Sequence, residues 1–526
     1  TTGINNNFIG QCAGYANTFG CNNNFFGNGA GFANTTGNYN NFFGCRTGYS
    51  NTTGNNNTFI GLCAGYSNTF GCGNNFIGYQ AGYANSTGGC NNFFGFQAGQ
   101  CNTTGSNNNF IGQCAGFSNT FGCCNNFFGY IAGNANTTGS NNNFFGSQAG
   151  RYNTTGSHNF FGGYLAGCVN TTGSNNVFIG CAAGNKNTTG SNNNFIGQCA
   201  GYSNTFGCNN IFFGSAAGIC NTTGNFNNFF GNSAGNNNTI GNCNNFLGFQ
   251  AGYCNTTGSN NFFGGYRAGF CNTTGNNNNF IGQCTGYSNT IGQSNNFFGN
   301  QAGVFNSSGI NNVFMGKFTG YCNNSGNNNT FLGSYAGYTV TSGSQNTAIG
   351  LQAGCCVTTG SGNTYLGYAG CASAGSVTNE MVIVASNTAW TVGKGSNTGF
   401  INAGGGGVYQ GNNSASWSQV SDRRIKKNIV DNTVGLEIIN AFRVRNFEYR
   451  KPEEITELPE HTAINKEGVQ IGLIAQEALE VLPEIVKQES TGVYSVDTSD
   501  LTWYLINAIK ELDAEVTALR QEIETL

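Results

Sequence analysis

From Thr1 to Cys371 the apolar and polar positions follow one seventeen-residue cycle, and a clean copy reads N-T-T-G-S-N-N-N-F-F-G-S-Q-A-G-R-Y from Asn136 to Tyr152. With the glycine after the apolar pair as position zero, Gly10, Gly27, Gly44 and their successors to Gly367 fall in step through twenty-two rungs. Position −2 is Phe in twenty of them, from Phe8, Phe25 and Phe42 to Phe331, with Ala348 and Tyr365 the exceptions. Position −1 is usually Ile, Phe, Leu or Met, and further glycines recur at +4 and +10. Adjacent strand residues point to opposite faces, so each apolar pair loads both faces of a short strand. One face fills the interior of a coil; the other needs a partner, most simply a second copy of the chain around a rotation axis. A fixed period of this length predicts a mainly β fold, a parallel β-solenoid or β-roll fibre. At roughly 4.8 Å per rung the stack would be on the order of 105 Å long. Asparagines before the Phe and at +7 (Asn17, Asn34, Asn51) then align as amide ladders, and the glycines serve corners of positive φ or close backbone approach.

Proline and charge sharpen this reading. All three prolines (Pro452, Pro459, Pro483) lie beyond the array, as a ladder that uses every backbone N–H requires. The only charges before Glu380 are Arg46, Arg151, Lys186, Arg267 and Lys317. An array so sparsely charged cannot neutralise a phosphate backbone, which argues against nucleic acid as a partner. It has no carboxylate pair, so glycoside hydrolysis in the shaft is excluded. No apolar run reaches about 18 residues, so no membrane span is expected. The chain opens inside the repeat at Thr1-Thr2-Gly3, which we read as a cut or processed end with an attachment upstream.

All 23 cysteines fall between Cys12 and Cys371. In four rungs they recur nine residues apart: Cys12 with Cys21, Cys63 with Cys72, Cys114 with Cys123, and Cys199 with Cys208. These are candidate disulfides across the coil, and bridges there would place the protein in an oxidising, extracellular setting. Free thiols acting as small apolar fillers are the alternative. With no C-x-x-C pair and His158 the only histidine in the array, neither a metal nor another cofactor is expected.

Residues 372–420 break the rhythm and read as an irregular β neck, with a short apolar strand from Met381 to Ala385. From Ser421 to Leu526 the composition turns charged and helix-capable. S-D-R-R-I-K-K-N-I leads in, and G-L-I-A-Q-E (Gly472 to Glu477) opens an amphipathic helix that stops near Pro483. The terminal helix places Leu505, Ile509, Leu512, Val516, Leu519, Ile523 and Leu526 at alternating steps of four and three, a coiled-coil seam. Read from the residues alone, S-D-R-R-I-K-K is a helix N-cap followed by a solvated basic turn.

Two resemblances extend these readings. N-T-A-I-G (Asn346 to Gly350) resembles the head repeats of trimeric autotransporter adhesins, a trimeric parallel β-roll, although those repeats are shorter; the Phe-rich rung looks more like arrays in tail fibres of phages and bacteria. Residues 421–526, through Ser421, Asp422, Arg424, Lys426, G-L-I-A-Q-E and the terminal helix, resemble the C-terminal intramolecular chaperone domain of phage endosialidases and tail spikes, also found in the myelin regulatory factor. That resemblance implies a domain that trimerises, guides folding of the β fibre before it and then cuts itself off. Ser421 would be the nucleophile, Lys426 the general base with Lys427 as competitor, and the cut would fall between Val420 and Ser421. The implied protein is a homotrimeric fibre of a phage tail or related extracellular apparatus, located extracellularly or on a virion. It would attach to a host surface receptor such as a glycan. A bacterial adhesin or structural filament that keeps its C-terminal trimer clamp is the rival reading. An ice-binding surface is disfavoured, because N-T-T-G sets its adjacent threonines on opposite faces.

Overall fold

The computed structural model describes residues 2–385, 390–403, 407–411, 418–419, 421–458, 462–464, 466–489 and 491–526. It divides into two compact units, Thr1–Val420 and Ser421–Leu526.

The first unit is the solenoid. Each of the twenty-two rungs contributes one three-residue strand, from β1 (Asn7–Ile9) to β22 (Thr364–Leu366), and each strand pairs in parallel with the next at a shift of seventeen residues. The rest of the rung is turn, yet it is also bonded along the stack: Thr137 N donates to Thr154 O (2.9 Å) and Gly150 N to Ala166 O (3.0 Å). Position −2 points inward. Phe25 through Phe331 are fully buried and stack on one another, for example Phe144 on Phe161 with ring centres 4.7 Å apart and planes 3° from parallel. Position −1 points outward and stays partly open to water, as Phe43 (38%), Ile60 (39%) and Ile349 (39%) do.

The interior also holds two amide columns. At +7, Asn136 Nδ2 donates to Asn119 Oδ1 (2.7 Å) and to Gly139 O (2.9 Å). At −4, Asn142 takes Asn125 Oδ1 on its backbone N–H (2.9 Å) and gives Nδ2 to Gly156 O (2.8 Å). Burying so many carboxamides is tolerable only because each is bonded to the rungs beside it. The +7 column stops at Asn323, because Val340 and Val357 follow at that position; among the described residues Asn323 Oδ1 is the one buried side-chain oxygen or nitrogen without a partner. Two glycines show why the rung repeats as it does. Gly150 has φ +56°, and a Cβ there would lie 2.4 Å from the Phe144 ring of its own rung; a Cβ on Gly156 would lie 2.4 Å from the Gly173 carbonyl of the next.

The sequence places the end of the rhythm at residue 372, but the structure carries the coil further. After β23 (Gly370–Cys371), β24 (Met381–Val384) pairs in parallel with β22, Met381 opposite Thr364. Glu380 fills the slot of the −4 asparagines, seventeen residues after Asn363, and Val382 replaces the inward Phe. The motif is lost to the eye while its register persists. β25 (Thr391–Val392) pairs with β23, β26 (Thr398–Asn402) extends the main sheet in parallel, and β27 (Gly407–Gly411) and β28 (Ser418–Gln419) close it antiparallel.

Glu380 cannot donate as an asparagine does, so it ends the inner column by accepting. Its carboxylate takes hydrogen bonds from Tyr365 Oη (3.1 Å), Ser373 N (3.1 Å) and Gly395 N (2.8 Å). Tyr365, which stands where nearly every other rung has Phe, thus supplies a hydroxyl where the column changes chemistry. Burial and the neighbouring carboxylate push its phenol far above the usual range.

The second unit is α+β. Helix α1 (Leu436–Ala441) packs on the long α3 (Leu501–Thr525); β29 (Arg445–Phe447) pairs antiparallel with β30 (Gln470–Gly472), α2 (Ala475–Val481) follows, and β31 (Val486–Gln488) pairs antiparallel with β32 (Tyr494–Val496). α2 ends just before Pro483, as the sequence indicates. Gly435 lets α3 come close, since a Cβ there would lie 2.2 Å from Ala508 N, and Leu436 N is satisfied by Glu511 Oε2 at 2.7 Å.

Candidate functional site

The chemistry-bearing residues of the second unit lie at its first turn. Residues Arg423–Ile425 form a single 3-10 turn, and Asp422 caps it by accepting from Arg424 N at 2.8 Å. The Asp422 carboxylate is also gripped by the Arg424 guanidinium, with Nη2 to Oδ2 at 2.6 Å and Nε to both oxygens at 3.1 Å. These bonds to Arg424 hold the Asp422 carboxyl below the ordinary carboxylate range.

The turn folds the chain back on itself, and Lys426 Nζ donates to Ser421 Oγ at 2.7 Å. A hydroxyl and an amine at that distance have the composition that Ser–Lys chemistry requires, in which an uncharged amine takes the hydroxyl proton as the oxygen attacks. Both side chains face water in the single chain. Of the two neighbouring lysines, Lys426 is the one that meets Ser421. Val420, on the other side of the expected scissile bond, lies outside the described residues. Asp422 and Arg424 act on this pair through the backbone: the capped turn is what brings the sixth residue of S-D-R-R-I-K to the first.

The rest of the unit buries little of its apolar surface. Ala478, Leu482, Ile485 and Ala508 are its buried apolar residues among those described, while Val430 (85%), Ile471 (75%), Ile425 (69%) and Trp503 (64%) stay open. All seven seam residues of the terminal segment (Leu505, Ile509, Leu512, Val516, Leu519, Ile523 and Leu526) are exposed as well. One pairing does fix α2 to the strands: Arg445 makes a two-pronged contact with Glu477, at 2.7 and 3.1 Å. No helix among the described residues is long and apolar enough to cross a membrane.

The structure does not form the disulfides expected at the nine-residue spacing. Cys12, Cys21, Cys63, Cys72, Cys114, Cys123, Cys199 and Cys208 are all free. The second member of each pair works along the stack instead of across it. Cys72 Sγ accepts from Asn55 N (3.3 Å) and donates to Phe70 O (3.3 Å), and Cys208 Sγ does the same with Ser191 N and Phe206 O. In other rungs an Asn or Ser oxygen fills that slot, as in Asn38 N to Asn55 Oδ1 (2.7 Å) and Ser140 N to Ser157 Oγ (3.0 Å). The first member sits on a left-handed corner, at φ 56° for Cys63 and 54° for Cys199. Partial burial pushes the thiols of Cys63, Cys114 and Cys199 upward in pKa. Co-occurrence in one rung therefore reflects two separate ladder positions. The structure's one disulfide joins Cys356 to Cys371, a pair at a spacing that recurs nowhere else as a motif.

Compared with known families, residues 421–487 match the one described as the chaperone of endosialidase. The match starts at Ser421, the first residue of the second unit. No curated protein and no solved structure matches the chain.

Proposed function

We propose that this chain is the subunit of a homotrimeric, extracellular fibre whose C-terminal unit drives assembly and then cuts itself off before Ser421. The observation that carries the proposal is the 2.7 Å contact between Lys426 Nζ and Ser421 Oγ at the first residue of the chaperone match. Ser421 Oγ attacks the carbonyl carbon of residue 420, and Lys426 takes the hydroxyl proton and returns it to the departing amine. The resulting ester is then hydrolysed, which leaves the shaft with a free carboxylate.

Trimer formation rests on two exposed apolar features, the outward column at position −1 along the shaft and the open seam of α3. Contiguous apolar surface of that extent marks an interface, and copies around an axis bury it with the fewest new contacts. Assembly also supplies the gate. Only an uncharged amine can take the hydroxyl proton, and burial of an amine against a neighbouring copy disfavours its charged form. The long, nearly uncharged shaft then suits a tail fibre of a phage or a related apparatus that meets a host surface.

The test compares intact mass and denaturing gel mobility of the full chain with those of the S421A and K426A variants. A fragment beginning at Ser421, released from the wild type alone, supports the reading. An uncut chain in all three overturns self-processing and favours an adhesin or filament with a retained clamp. If K426A still cuts, the base is another group.

A further inference from the structure

Three sulfurs meet at the end of the shaft. Cys355 and Cys356 lie in the turn after the strand Thr347–Ile349, and Cys371 lies in β23. Cys356 and Cys371 form the disulfide, and the Cys355 thiol sits 3.9 Å from Cys356 Sγ. All three sulfurs lie within 4.8 Å of one another. The turn that carries Cys355 and Cys356 is held from the rung before it, because the Thr339 hydroxyl donates to Val357 O (2.8 Å). The other twenty cysteines are all free, although many sit in neighbouring rungs. A bridge and a third thiol together therefore occur here alone, where the shaft passes into the neck strands.

We infer that Cys355, Cys356 and Cys371 form a thiol–disulfide exchange site that lets the bridge at the shaft end move between two cysteines. The Cys355 thiolate attacks Cys371 Sγ; a Cys355–Cys371 bond forms, the Cys356–Cys371 bond breaks, and Cys356 leaves with the electron pair. The proton lost by Cys355 is regained by Cys356, so no oxidant or reductant is consumed. Cys355 Sγ lies 3.9 Å from the leaving Cys356 Sγ and within 4.8 Å of Cys371 Sγ, so attack on Cys371 calls for a side-chain rotation rather than a long approach, and the two candidate bridges differ by one residue of loop.

The exchange has a use in folding. β23 must find its place beside β25 after twenty-two near-identical rungs, and a bridge that can be remade lets a premature closure be corrected. Once the end is packed, Cys355 is buried and its thiol is pushed up to about 11, which keeps it protonated and the finished bridge in place. The bridge is mobile while the end is open and locked when it is closed.

The experiment maps bridges by mass spectrometry on the full chain, after acid quench and alkylation of free thiols, in the wild type and in the C356A and C355A variants. The expected result is that C356A still carries a bridge, now Cys355–Cys371, seen as the loss of two hydrogens and protection of both residues. C355A keeps Cys356–Cys371. A C356A chain in which both remaining cysteines alkylate fully overturns the inference. Should C356A fail to fold, the wild type decides alone. Held at pH 9 in mild denaturant before the quench, it should gain a population alkylated at Cys356 in place of Cys355. Label confined to Cys355 throughout overturns the inference.

Discussion

Replacing Asn136 by Val should cost far more than replacing Asn323 by Val, although both asparagines are fully buried in the same column. Asn136 gives Nδ2 to Asn119 Oδ1 and receives Asn153 Nδ2 (2.8 Å) on its own Oδ1. Its removal leaves one acceptor and one N–H unpaired in the interior; Gly139 O is not orphaned, because Asn125 Nδ2 also reaches it (2.9 Å). At about 1–3 kcal/mol for each buried unsatisfied group, the cost is about 2–6 kcal/mol. Asn323 is the last member of the column, and its Oδ1 is already unpartnered. Replacing it orphans Asn306 Oδ1 but removes the existing orphan, so the count of unpaired groups is unchanged. Val is also the residue the next two rungs carry there, at Val340 and Val357. The difference should appear in hydrogen-exchange protection of peptides spanning each site, which reports local opening. N136V should lose protection by roughly thirtyfold to over ten-thousandfold, and N323V by no more than a few-fold. Equal losses at the two sites would refute the claim that the ladder is sustained by pairing between rungs.

Other outcomes follow from the same geometry. Y365F keeps the ring found in other rungs but removes the Oη bond to Glu380, and should lower stability of the shaft end by roughly 1.5–3 kcal/mol in denaturant unfolding, as expected for a bond to a charged group. G150A forces a Cβ to within 2.4 Å of the Phe144 ring at φ +56°, and should open the flanking rungs to limited proteolysis. The Asp422–Arg424 pair lowers the folded-state pKa of Asp422, so its contribution is complete above the unfolded carboxylate value of about 3.9 and is lost only as pH falls through the lower folded value. The Arg424 amide resonance should therefore hold steady from neutral pH to about pH 4 and shift only below it. L512D places a charge in the middle of the α3 seam, and should abolish both assembly in light scattering and release of the Ser421 fragment.

Much of the architecture was legible because the rung repeats its constraints. The inward Phe, the asparagines that bond to their neighbours and the glycines that admit no Cβ each recur at one position, and period alone exposes them. What was hidden depended on substitutions that keep a role while changing the letter. Glu380 in an asparagine slot and Val382 in a phenylalanine slot concealed the continued coil. Cysteine serving as a hydrogen-bonding stand-in for Ser or Asn suggested bridges where there are ladder positions. The Cys356–Cys371 bridge gave no signal, since its residues fall at positions where cysteine does not otherwise pair. At Ser421 the residue types were visible, but the proximity of Lys426 comes from the turn capped by Asp422, which spacing alone leaves open.

The most direct test of the account is the solution mass of the uncut S421A chain by light scattering, followed by that of the wild-type shaft once the C-terminal fragment has left. Three copies are expected in both, with assembly preceding the cut in a time course. A monomeric shaft, or a fragment released from chains that never associate, would contradict it.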